Sequence, residues 1–213
     1  VPIGKLGEVE PQSVSYRPPQ QDRSRRARQR VLGAAEAVLV ARGLDDFTMT
    51  AVAEQADVSI GAIYRRFEGR DQLLDAVWDQ LLSRMETDLA AALEAADPSL
   101  LGVVRALVRA SVADLENNRV FPNLYGPSLA LTTRVHDAIG MRRRLFLAAV
   151  EPHLDEVGRA DPRVAVVVVQ EAITGACVHR ASQGPGVEDG LSWEQFADQL
   201  EELAKAYLVT TGS

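Results

Sequence analysis

The stretch "FTMTAVAEQADVSIGAIYRRFEGRDQLL", residues 47–74, decides how the chain is read. Thr48 is placed to cap a short helix through Ala56 that buries Val52, Ala53 and Ala56. Asp57 and Val58 then supply a turn, at a point where an aspartate tolerates left-handed backbone better than most residues. Ser59 is the cap of a second helix. Advancing about 100° per residue from Ile60 brings Ile60, Ile63 and Phe67 within roughly 60° of one another, which predicts a buried face. Gly61, Ala62, Arg65 and Arg66 fall on the opposite arc, and Tyr64 sits on the border.

Two short helices joined by a tight turn form a helix-turn-helix. The small residues of the outward arc allow close approach of the backbone to a major groove. Arg65 and Arg66 match the acceptors of guanine or the phosphates. A tyrosine hydroxyl at position 64 suits a phosphate, which fixes orientation without reading sequence, and Ser59 with the first amides of its helix suits another. Singly, each of these residues is more often solvated or packed. Their joint spacing carries the reading.

The overall composition hides this polarity. Net charge is −7, yet residues 1–70 hold eleven Lys or Arg against nine Asp or Glu, while residues 71–213 hold twelve against twenty-one. A basic end on an acidic body is expected where one end meets a polyanion. Arg23, Arg25, Arg26, Arg28 and Arg30 extend the basic end, and their plainer role is to coat a solvated helix. Cys177 has no partner for an internal disulfide, which points to a reducing cytoplasm. The longest apolar run, residues 164–169, falls far short of the ~18 residues of a membrane span.

The remaining pattern predicts an all-α chain. Residues 1–21, with Pro2, Pro11, Pro18 and Pro19, read as an extended arm. Val31, Leu32, Ala35, Val38 and Leu39 make one helical stripe from a start near Asp22, and Gly43 stops it. Residues 22–69 form the helix-turn-helix domain and 70–213 a second helical domain. A long helix begins after Gly69, and further helices are expected over 99–118, 127–139, 141–157, 161–181 and 192–209. Asp161 and Ser192 are the caps of the last two, and the valine run 166–169 reads as helix because of its capped start.

The runs "RQRVLGAAEAVLVARG" and "FTMTAVAEQADVSIGAIYRRFEGRDQLLDAV" resemble the DNA-binding half of the tetracycline-repressor-like (TetR) family, over residues 25–77. The resemblance implies that Thr48 caps its helix and meets phosphate, and that Thr50 and Ser59 face DNA. It further implies that Tyr64 holds a phosphate and that Arg70 binds the DNA backbone at the start of the fourth helix. Departures are Ala62 where threonine is frequent, Arg66 for histidine, Arg70 for lysine and Asp57 for the turn glycine. The family further implies a repressor that binds a near-palindromic operator as a homodimer through its last two helices and is released by a small-molecule effector.

Trp78, Met85, Phe121, Leu124, Tyr125, His136, Phe146 and Cys177 are candidate linings for such an effector pocket, each with a plain core role as its alternative. The run Arg142–Arg144 could attract an anion, although a solvated helix face accounts for it as well. His136, His153 and His179 have no spacing that suits a metal, and no cofactor is called for. The sequence has no Gly-rich phosphate loop, H-E-x-x-H or G-x-S-x-G, which argues against an enzyme. A helical sensor or adaptor with weak or no DNA binding is the competing reading, favoured by Ala62 and Asp57.

Overall fold

The computed structural model describes residues 20–117, 129–183 and 190–209. The N-terminal arm and the candidates Phe121, Leu124 and Tyr125 lie outside the described residues. Among those described, every regular element is a helix. They are α1 (Gln20–Arg42), α2 (Met49–Ala56), α3 (Ile60–Tyr64), α4 (Arg70–Glu94), α5 (Leu100–Asn117), α6 (Leu129–Val150), α7 (Pro162–Ser182) and α8 (Trp193–Val209). A 3-10 turn, Glu151–Glu156, follows α6.

Local chemistry explains most of the boundaries. Gly43 closes α1 at φ 75°, where its N–H bonds the Leu39 carbonyl. Asp57 ends α2 in the left-handed region, at φ 52° and ψ 53°. The Asp161 side chain accepts from the Val164 amide at the start of α7, and Pro162 follows it where no N–H is needed. At α8 the cap is reciprocal: Ser192 Oγ accepts from the Gln195 amide and Gln195 Oε1 from the Ser192 amide. Gly102 is fixed by sterics, since a Cβ there would lie 2.3 Å from the Asp97 carbonyl oxygen.

Two expectations fail. The helices predicted over 127–139 and 141–157 are one helix, α6, which runs through Gly140 to Val150. A glycine inside a helix costs only about 1 kcal/mol, and packing of α6 on α4 and α7 outweighs it. The break comes instead at Pro152, in the first turn of the 3-10 segment. In addition, α7 is by length and composition long and apolar enough to cross a membrane. It packs as a bundle helix, with Val166, Val169, Ile173 and Cys177 buried and Val164 and Val168 exposed.

The core is continuous from end to end. Val31, Leu32, Val38 and Leu39 of α1 pack with α2 and α4, and the same cluster continues through Trp78, Leu81 and Leu89 to Phe146, Ile173 and Leu208. Trp78 and Phe146 are 3% and 0% exposed, as core residues are. Two polar ties add to this join. Arg84 of α4 reaches Glu36 of α1 at 2.7 Å. Arg70, at the start of α4, donates from Nε to the Phe47 carbonyl at 2.9 Å and from a terminal nitrogen to the Leu44 carbonyl at 2.6 Å.

Candidate nucleic-acid interface and internal cavity

The helix-turn-helix is built from two capped helices. Thr48 Oγ1 accepts from the Ala51 amide at 3.1 Å, and Ser59 Oγ from the Ala62 amide at 3.3 Å. Each hydroxyl thereby satisfies a donor that the helix start leaves unpaired. Ala51, Val52, Ala53 and Ile63 are buried between these helices and α1, and Phe67 closes the far end. The turn at Asp57 donates its N–H to the Glu54 carbonyl, which sets the angle at which α3 leaves.

The outward arc is as expected at Gly61, Tyr64, Arg65 and Arg66, all exposed, with Tyr64 at 52%. Ala62 is half-buried, and Thr48, Thr50 and Ser59 are exposed. Ile60 departs from the prediction: it is 43% exposed rather than part of the buried face. The helix has only five residues, so it meets its neighbours through Ile63 and the following Phe67, leaving the first turn outside. Ile60 is therefore an exposed apolar residue on this arc that the wheel missed.

The arginines differ in what holds them. One terminal nitrogen of Arg66 donates to the Ala62 carbonyl at 2.8 Å, so that guanidinium lies back along α3. Arg28 of α1 stacks over the Phe67 ring at 5.8 Å and shares a shallow surface depression with Arg66. This brings the basic row of α1, exposed from Arg23 to Arg30, beside the end of α3. Arg23, Arg25 and Arg26 all lie on α1, which starts at Gln20. Arg70 holds carbonyls of the loop between α1 and α2, a structural tie that the resemblance did not imply.

A second concave site lies inside the bundle. Its volume is about 50 Å³ and its wall comes from α4, α5, α6 and α7. Of the residues singled out from sequence, Met85 and Cys177 line it. Trp78 and Phe146 do not, and His136 lies instead on an exposed surface cleft between α4 and α6.

Sequence reasoning missed Ser111, Gln170 and Thr174 in the polar part of this wall, and left Arg142 open between an anion site and a solvated face. Arg142 is not on a solvated face. Its side chain is 13% exposed and pairs at 2.9 Å with Asp114 of α5, while donating to the Met85 carbonyl at 2.5 Å and to Ser111 Oγ at 3.3 Å. Burial pushes the Asp114 carboxyl up to about 6, against the pull of Arg142. Burial also lowers the Arg142 guanidinium and pushes the Cys177 thiol up to about 12, which keeps that thiol protonated and unreactive.

Comparison with known proteins adds to this geometry. Residues 31–77 match the family model described as bacterial regulatory proteins, tetR family. An uncharacterised HTH-type transcriptional regulator, TtgW of Pseudomonas putida, is 37% identical over 65 residues, covering 30% of this chain and 48% of that one. The HTH-type transcriptional regulator SrpR of Pseudomonas putida is 39% identical over 61 residues, or 29% of each chain. The chain thus spans less than half the length of either curated relative. The transcriptional regulator FadR of Bacillus subtilis, solved in complex with stearoyl-CoA, has the same fold at a TM-score of 0.68. It is 13% identical, and the match covers 84% of this chain and 98% of that one.

Proposed function

We propose, from the match of residues 31–77 to the model of the tetR family of bacterial regulatory proteins, that the chain is a one-component transcriptional regulator, a repressor whose grip on DNA is released by a small molecule. The observation that carries this is the exposed arc of Ile60, Gly61, Tyr64 and Arg65 on a capped helix whose other side, Ile63 and Phe67, is buried. Arg65 reads guanine or phosphate, Tyr64 fixes the phosphate register, and Ile60 offers an apolar contact for a thymine methyl. Thr48, Thr50 and Ser59 supply hydroxyls at the same surface, and the basic row of α1 adds sequence-independent attraction.

A near-palindromic operator requires two copies, with half-sites about one helical turn apart. The exposed apolar residues Val164 and Val168 of α7 and Leu203 and Tyr207 of α8 support a homodimer built through those helices. The cavity supplies the effector site. Met85 in its wall and Arg70 at the loop tie lie on the same helix, α4, about 22 Å apart along its axis. An effector that prefers one position of α4 therefore shifts the spacing of the two reading heads.

Selection of bound fragments from genomic DNA, followed by gel shift over a salt series, tests the reading. Arg65→Ala is expected to weaken the selected site by roughly tenfold or more with a shallower salt slope, and Tyr64→Phe by less with the slope unchanged. Unchanged affinity in both variants would overturn the assigned face. No salt-dependent DNA binding at all would favour the sensor or adaptor reading.

A further inference from the structure

The effector reading leaves open what the cavity accepts, and its wall narrows the answer. Leu82, Met85, Leu107, Ile139 and Val178 make most of the surface apolar. The cation in the wall does not invite an anion. Arg142 is balanced by Asp114 at 2.9 Å and donates to Met85 and Ser111, so an anionic ligand would have to displace a carboxylate already in place. Gln170 is different. It is 3% exposed, its Nε2 lies 3.0 Å from Thr174 Oγ1, and its Oε1 has no hydrogen-bond partner among the described residues. Whichever way the amide is turned, one end is committed to Thr174 and the other sits in the cavity wall with nothing to bond. A buried polar atom in that state costs free energy until a partner arrives.

We propose that the cavity takes a compact, neutral, largely apolar molecule carrying one hydroxyl, which completes the hydrogen bonding of Gln170. A hydroxyl both donates and accepts, so it serves either orientation of the amide. Size follows from the volume of about 50 Å³. A cavity of ~150 Å³ is what admits benzene, so this one suits a ligand of no more than a few non-hydrogen atoms. Long acyl chains are excluded unless the unbranched side chain of Met85 moves aside. The inference rests on the reading of this cavity as the effector site.

The test uses the full chain with methyl-labelled Met and Leu, titrated separately with 1-propanol, propionate and xenon at pH 7.5. The proposal expects saturable shifts at the Met85 methyl with 1-propanol and with xenon, and none with propionate at equal concentration. In Gln170→Met, a near-isosteric change, the 1-propanol dissociation constant should rise roughly tenfold while xenon binding stays as in the unmodified chain. Xenon reports in the same sample whether the cavity survives the substitution. If the variant does not fold, the comparison of the three probes on the unmodified chain still decides. Tighter binding of propionate would make Arg142 the recognising group and overturn the proposal. So would equal affinity for 1-propanol in both chains, or entry of xenon alone. Gel shifts on the same preparation separate the two readings: retained DNA binding without 1-propanol binding removes the ligand class and leaves the regulator.

Discussion

Arginines have opposite fates in the two ends of the molecule. Among the described residues, Arg23, Arg25, Arg26, Arg28, Arg30, Arg65 and Arg66 of the N-terminal end make no ion pair. In the bundle, Arg105 and Arg109 share Glu201, Arg134 reaches Asp75 at 2.8 Å, Arg143 reaches Glu171 at 2.8 Å and Arg142 holds Asp114. A cation that finds an acid inside its own chain has its field cancelled, and one that does not keeps it for an external polyanion. The difference teaches that net charge is a poor guide to partners here. The protein is acidic because its body holds twenty-one acids against twelve bases, several of which it pairs internally, while the basic end keeps its charge available.

The strongest way to break this contrast is at the buried pair. Arg142→Ala leaves Asp114, 6% exposed, without its counter-charge, and should lower unfolding free energy at pH 7.5 by about 3–5 kcal/mol. The double replacement Arg142→Met with Asp114→Leu should recover most of that loss. If the single variant melts like the unmodified chain in urea, the pair is not holding the bundle.

A smaller effect comes from the titration of Asp114. Its folded value of about 6 lies above the ordinary 3.8, so the proton favours the folded state. That stabilisation is full below about pH 4 and is lost as pH rises through about 6, a change of about 3 kcal/mol at most. The readout is the difference between the unmodified chain and Asp114→Asn across urea melts from pH 4 to 7.5. A difference that does not change over that range would contradict the assignment. The smallest effect belongs to the other end. Thr48→Ala removes the cap on the Ala51 amide and should cost about 1 kcal/mol in the same melts. A loss as large as that of Arg142→Ala would mean that the two ends are not organised differently after all.

What could be read in advance was local. Thr48, Ser59, Asp161 and Ser192 each act within three residues of their own position, and the left-handed turn at Asp57 is a property of one residue. The body was less legible because its decisive contacts are distant in sequence. Arg142 lies in a run of three arginines, and nothing in that run says that Asp114 on another helix will bury it. Gln170 was invisible for the same reason, since its meaning depends on a cavity made by four helices. Ile60 failed differently. The helical wheel was extended to Phe67, but α3 ends at Tyr64, and a five-residue helix has no continuous face for its first residue to share.

The loop tie at Arg70 has a mechanical consequence. With the carbonyls of Leu44 and Phe47 held by its guanidinium, and Glu36 held by Arg84, the helix-turn-helix rides on α4 as a passenger. A tilt of one degree about the cavity end of that helix, over about 22 Å, carries the passenger about 0.4 Å. Ten such degrees would miss a groove. On such a lever the proposed regulator would grip or release DNA by an angle, with the exposed face of α3 keeping its shape.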